Sequence, residues 1–192
     1  MERTVFVAGS GGHGIQNIGK TLVHAALSDG LEAACYPRYG IEKRGGYSSC
    51  YLTFSEGEIG NVKKARSDVV ILIDQRAYNM FGGTVRPGGC LIVNSSTVKA
   101  EEYPAGCRVL ELPIIDMALQ FGDLRAISTI ITGLVAGIPG LFSSAEPVRQ
   151  TIAEKWKNKP AVLEMNLNAF DAGLPLGTQI RLEAGKSENA DK

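Results

Sequence analysis

The feature that most constrains the fold is an apolar run, Thr4-Val5-Phe6-Val7-Ala8, which breaks into Gly9-Ser10-Gly11-Gly12-His13-Gly14 and resumes with helical periodicity at Ile15. A short run without polar alternation reads as a strand buried on both faces, the kind found inside parallel sheets. Beyond the glycines, Ile15, Ile18, Leu22 and Ala25 recur at helical spacing, which predicts an amphipathic helix to Ser28 with Gly30 as its stop. A strand with two apolar faces needs cover on both, so this strand–turn–helix unit points to the α/β class.

The same grammar continues along the chain. Further strands are predicted at Leu31 to Tyr36, Tyr47 to Phe54, Val69 to Ile73, Leu91 to Val93 (after a Pro87-Gly88-Gly89 turn) and Arg108 to Leu112. One helix is predicted from Pro113 to Phe121, where proline suits the first turn and Gly122 the stop. Ile127 to Ala136 is apolar on every side and reads as a buried helix. Ser143-x-x-Glu146 resembles a capping box opening a helix to about Trp156, and Glu164 to Ala172 forms a last short helix. Strands alternating with helices predict a single Rossmann-like three-layer domain, with a mostly parallel sheet and helices on both faces. With no internal repeat and no linker, that domain is expected over residues 1–183, followed by a polar, disordered tail at 184–192.

Twenty basic and twenty acidic residues cancel, which removes the electrostatic footprint that nucleic acid or an anionic membrane requires. The most apolar stretch, Ile127 to Phe142, is interrupted by Gly133, Gly137, Pro139 and Gly140 and is too short to span a bilayer. No signal peptide is read ahead of the first strand, so a cytoplasmic protein is expected. Cys35, Cys50, Cys90 and Cys107 lack C-x-x-C spacing and read as small buried hydrophobes; no metal site is expected on this chain.

Gly9, Gly11, Gly12, His13 and Gly14 lie in a G-x-G-x-x-G pattern between strand and helix, the context in which such a loop can cradle a phosphate at a helix N-terminus. The alternative is a tight turn that needs glycine for its own geometry. A dinucleotide fold would carry an acidic residue after its second strand; Tyr36-Pro37-Arg38 stands there instead. That disfavours NAD and leaves the ribose phosphate of NADP or coenzyme A. A second loop, Arg38-Tyr39-Gly40-Ile41-Glu42-Lys43-Arg44-Gly45-Gly46, follows that strand. Its three cations, tyrosine and three glycines suit an anion, although a solvated surface loop would look much the same. Asp74, ending a buried strand, is a further candidate, with a helix cap as its simpler role.

Together the two loops resemble the gamma subunit of 2-oxoacid:ferredoxin oxidoreductases, whose pattern runs G-x-G-G-x-G and then Y-G-P-E-x-R-G-G. Gly9, Gly11, Gly12 and Gly14 match the first motif; Tyr39, Gly40, Glu42, Arg44, Gly45 and Gly46 match the second. Leu91 to Asn94, Asn166, Ala169 and Gly173 extend the likeness over about residues 4 to 177. Ile41 replaces the usual proline, and His13 a common glutamine.

The resemblance implies a hetero-oligomer that decarboxylates a 2-oxoacid on thiamine diphosphate and Mg2+. Electrons would pass through [4Fe–4S] clusters to ferredoxin, and coenzyme A would take the acyl group. Those cofactors are expected on alpha and beta subunits and, where present, a ferredoxin-like delta subunit, with none held by this chain alone. Its loops would help close the active site and position coenzyme A or the 2-oxoacid carboxylate. Arg44 would be the anion contact, supported by Lys43 and Arg38; Glu42 would orient Arg44, and Tyr39 would pack against a partner or a flat ligand. Overall likeness leans to 2-oxoglutarate over pyruvate or a branched-chain acid. Rival readings are an NADP-binding Rossmann oxidoreductase, a purely structural assembly subunit, and the small chain of an arylpyruvate-type enzyme.

Overall fold

The structure, a computed structural model, describes residues 2–40 and 46–182. At its centre are six strands: β1 (Glu2–Ser10), β2 (Glu32–Tyr39), β3 (Tyr47–Ser55), β4 (Ser67–Leu72), β5 (Val85–Asn94) and β6 (Arg108–Leu112), ordered β2-β3-β1-β4-β5-β6. β1, β4, β5 and β6 pair in parallel, while β3 runs antiparallel to both β1 and β2. The mostly parallel α/β sheet is thus found, with one strand reversed.

Chain length explains the reversal. Helix α1 (Ile15–Ser28) is long enough to carry the chain from β1 to a strand of the same direction, but the link from Tyr39 to Tyr47 is too short for a crossover. β3 therefore turns back and inserts between β1 and β2, so the first two strands are not neighbours as simple alternation suggests. β2 becomes an edge strand, where Pro37 sits without removing an interior ladder bond. Pro87-Gly88-Gly89 does not form the expected turn either. It lies within β5, where the register against β4 shifts between Ser67 and Val69; such an irregularity absorbs the missing N–H of proline.

The two helical layers are unequal. α1, α3 (Ile114–Gln120), α4 (Ala126–Ala136), α5 (Glu146–Trp156) and α6 (Pro160–Gly177) pack on the sheet face that carries Val5, Val7, Cys50, Leu52, Ile71 and Ile92. Among the described residues, the face bearing Phe6, Tyr51, Val70, Leu72 and Leu91 has the seven-residue α2 (Gln75–Phe81), a single 3-10 turn at Gly82–Thr84 and loops. There Phe81 packs edge-on to Phe6, with ring centroids 5.0 Å apart.

Every residue of α4 except Ser128 is buried. Its partner is α6, and the two backbones touch. A Cβ on Gly133 or Gly137 would run into the backbone of Phe170 or Leu174, and one on Gly173 or Gly177 into that of Ile130 or Leu134. This interlock, with Pro160 well suited to the first turn, extends α6 well past the expected Glu164 to Ala172. The expected capping box is not formed. The Ser143 N–H and hydroxyl bind the Asp29 carboxylate, and Ala145 takes the cap position of α5. Among the described residues no helix is long and apolar enough to cross a membrane. The expected tail, 184–192, lies outside the described residues.

Candidate functional site

β1, β4, β5 and β6 end at one rim of the sheet, where the glycine loop meets the described ends of the second motif, Tyr39, Gly40 and Gly46. The Gly11 N–H donates to the Gly46 carbonyl at 2.8 Å, Ser10 is in register with Tyr47, and the Gly40 N–H donates to the Tyr47 carbonyl at 2.7 Å. The glycine loop and the base of the β2–β3 hairpin tip are thus clasped backbone to backbone. Arg38 pairs with Ser49 at the end of β2, and the Tyr39 ring stands in solvent. Glu42, Lys43, Arg44 and Gly45 lie outside the described residues.

Asp74 anchors the loop from the neighbouring strand. Its Oδ2 accepts from the Ser10 N–H at 2.5 Å and the Ser10 hydroxyl at 2.8 Å; its Oδ1 accepts from the Ala77 N–H at 2.9 Å and so caps α2. The simpler role considered for Asp74 is therefore real, and the same carboxylate also fixes where β1 becomes the glycine loop. His13 Nδ1 lies 3.9 Å from Asp74 Oδ2 and has no hydrogen-bond partner among the described residues. Burial pushes the His13 pKa below its ordinary value, against the pull of the Asp74 charge, so the ring is held neutral near pH 7.

Gly14 joins the loop to α1 with φ 72°, and a Cβ there would meet the Ser128 side chain at 2.8 Å. Only glycine meets both demands without strain. The start of α1 therefore sits directly on α4 and has no side-chain cap, which leaves its N-terminal partial charge available.

Beside this junction a cavity of about 300 Å³ opens between α1, α4, α5 and α6. Gly12, Gly14 and Asn17 form one wall; Ser128, Thr129 and Thr132 of α4 form another, faced by Lys155, Trp156 and Asn166. Asn166 is a builder of the cavity wall: its Oδ1 accepts from the Thr129 hydroxyl at 2.6 Å, and its Nδ2 donates to the Val162 carbonyl at 2.8 Å. The Lys155 ammonium lies 5.4 Å from the Trp156 ring centre and faces no carboxylate among the described residues. Burial, and then the nearby Lys20 charge, hold its pKa below the ordinary lysine value. Arg125 at the mouth pairs with Asp123, Nε to Oδ2 2.7 Å.

A helix N-terminus, two cations and an indole wall around one space suit an anion joined to a flat or apolar group. Arg125, Ser128, Thr129 and Lys155 escaped the sequence reading because they come from separate helical faces that converge only in the fold; Trp156 stands in the sequence only as the expected end of a helix. Among the described residues no group of three or more His, Cys, Asp or Glu is placed to hold a metal ion.

Comparison with known proteins follows the same lines. A ketoisovalerate oxidoreductase subunit VorA from Methanothermobacter thermautotrophicus is 33% identical over 174 residues, covering 90% of this chain and 36% of that protein. The chain thus spans about a third of the length of that relative. A 2-oxoglutarate synthase subunit KorC from Methanocaldococcus jannaschii is 27% identical and covers 94% of this chain and 96% of its own. Among solved structures, a 2-oxoglutarate:ferredoxin oxidoreductase from Magnetococcus marinus, with 2-oxoglutarate, coenzyme A and succinyl-CoA bound, superposes with a TM-score of 0.84. It is 22% identical over 95% of this chain and 32% of that one, a likeness of fold. The profile described as pyruvate ferredoxin/flavodoxin oxidoreductase matches residues 4–176, and the chain belongs to that family.

Proposed function

We propose that this chain is the gamma-type subunit of a 2-oxoacid:ferredoxin oxidoreductase, and that its rim holds the phosphate-bearing end of coenzyme A beside an active site housed by partner subunits. The observation that carries the reading is the clasp of the two glycine motifs beside a cationic cavity at the start of α1. Thiamine diphosphate and [4Fe–4S] clusters on the alpha and beta subunits would supply the decarboxylation and the path to ferredoxin. This chain's residues bind and orient. Lys155 and Arg125 neutralise phosphate charge, the open N–H groups of α1 donate to it, and Trp156 offers a face to a flat base. Arg38 adds positive charge at the described end of β2 beside Tyr39; on the family likeness Arg44 would be the anion contact, supported by Lys43 and oriented by Glu42.

In the complex reconstituted with its partner subunits, Lys155→Ala should raise the KM for coenzyme A about tenfold, the loss of one charge-assisted contact. The KM for the 2-oxoacid should stay put. An unchanged coenzyme A KM would remove the cavity from the site. Arg44→Ala should raise a KM or lower turnover, and unaltered kinetics would end its assignment as the anion contact. Tight NADPH binding by the chain alone would favour the rival Rossmann oxidoreductase. Among substrates we favour 2-oxoglutarate, on overall likeness, over a branched-chain 2-oxoacid; relative kcat/KM for the two on that complex decides between them.

A further inference from the structure

Cys35 on β2 and Cys50 on β3 project from the sheet toward α1, where both sulfurs crowd Gly19. A Cβ built on Gly19 would lie 2.7 Å from Cys50 Sγ and 2.8 Å from Cys35 Sγ, so the two sulfurs are no further apart than those distances added together. The thiols fill the place a Gly19 side chain would take. They are not directly opposite in the ladder: Cys35 pairs with Leu52 and Cys50 with Pro37. Cys50 is fully buried, whereas Cys35 is partly open to solvent. We propose that Cys35 and Cys50 form a reversible redox pair, in which Cys35 reacts with hydrogen peroxide and Cys50 resolves it to a disulfide.

The chemistry balances. The Cys35 thiolate attacks one peroxide oxygen and becomes a sulfenic acid, releasing water once a proton is taken up. The Cys50 thiol then attacks the sulfenic sulfur and expels a second water. Two thiols lose two electrons and two protons, and the peroxide bond takes them up. The order of attack follows from surroundings. The adjacent Cys50 thiol holds the Cys35 pKa below the ordinary cysteine value; burial opposes this, and the Lys20 ammonium supports it. The same contact and burial push Cys50 up. A diagonal pair in an antiparallel ladder is wider than a relaxed disulfide spans, so closure must shear β2 along β3. As the edge strand, β2 is free to make that movement, and a strained bridge is readily reduced again. The movement travels to the hairpin tip, where the Gly40 N–H bonds the Tyr47 carbonyl beside the glycine loop.

The full chain is treated with a modest excess of hydrogen peroxide, digested under acid quench and mapped by mass spectrometry. The expected product is a Cys35–Cys50 linked peptide, two hydrogens lighter, with Cys90 and Cys107 still alkylatable and the bridge reversed by dithiothreitol. Cys50→Ser should stop at a Cys35 sulfenic acid trapped by dimedone. Hydrogen exchange at the Gly40 amide should change on oxidation of the wild-type chain. Oxidation of Cys107 ahead of Cys35, or loss of the Cys35 thiol to sulfinic acid with no linked peptide from the wild-type chain, overturns the proposal.

Discussion

Asp74→Ala tests whether one carboxylate organises the rim. The substitution removes three acceptor contacts, to the Ser10 N–H, the Ser10 hydroxyl and the Ala77 N–H. A hydrogen bond to a charged group is worth about 1.5–3 kcal/mol when its partner is deleted, and a lost helix cap about 1 kcal/mol. These contacts share one group whose side chain is 17% exposed, so they do not add in full. A loss of about 3 kcal/mol is expected, which for a domain of this size lowers Tm by about 6–12 °C. Asp74→Asn keeps one good acceptor and loses the charge, and should fall by about half as much. A second readout separates anchoring from general damage. The Asp74 charge raises the His13 pKa, so removing it should move the His13 titration, followed by its ring proton resonances, further below the ordinary histidine value. Thermal unfolding by circular dichroism checks the first expectation. A Tm for Asp74→Ala within about 2 °C of wild type, or a His13 midpoint that rises in Asp74→Asn, would refute the anchoring account.

Two further substitutions test the scaffold. Helix propensity alone predicts that Gly173→Ala stabilises by about 1 kcal/mol. The backbone contact at Ile130 predicts the opposite: α6 must move off α4, a net loss of about 2 kcal/mol after that gain and a Tm about 4–8 °C lower, so the sign of the urea-midpoint shift decides. Asp68 is buried at the opposite end of the sheet, where it accepts from the Thr4 N–H and Thr4 hydroxyl, both at 2.7 Å, and from Arg86 Nε at 2.7 Å. Burial pushes its pKa up, but those donors outweigh it and hold the carboxyl below the ordinary value. A depressed carboxyl stabilises the fold above its unfolded pKa, about 3.9, and that contribution is lost as pH falls through the lower folded value. Stability measured from pH 5 downward should therefore drop below about pH 4 in wild type and change less steeply in Asp68→Asn.

The parts of the fold that were legible are those set by local periodicity. α1 begins and ends where Ile15, Ile18, Leu22, Ala25 and Gly30 place it, and β6 lies over Arg108–Leu112 as expected. What misled were signals whose meaning depends on neighbours. Pro87-Gly88-Gly89 has the composition of a turn, yet it lies within β5, unpaired with β4 between the Ser67–Val85 and Val69–Cys90 pairs, with the Gly88 N–H bound to the Gly106 carbonyl. Ser143-x-x-Glu146 has the spacing of a cap, yet Asp29, more than a hundred residues earlier, competes for Ser143. α2 has too few residues to display a period, and only Asp74 ahead of it marked a start. The position of β3 rests on a steric rule about short links that strand-by-strand reading does not apply.

The candidate site divides in the same way, and the division has a physical basis. A tight strand-to-helix turn is built from consecutive backbone groups, so its glycines must be written together in the chain; Gly9 to Gly14 were visible for that reason. A cavity between helices is built from side chains at helical intervals on several elements, so its lining is scattered through the sequence. Ser128 shows the link between the two. It is the one partly exposed residue of an otherwise buried helix, it faces the cavity, and its side chain lies where a Gly14 Cβ would fall. The glycine in the visible motif and the serine in the invisible wall are therefore one packing solution. A larger residue at position 128 should displace the start of α1 and disable the loop with every glycine intact.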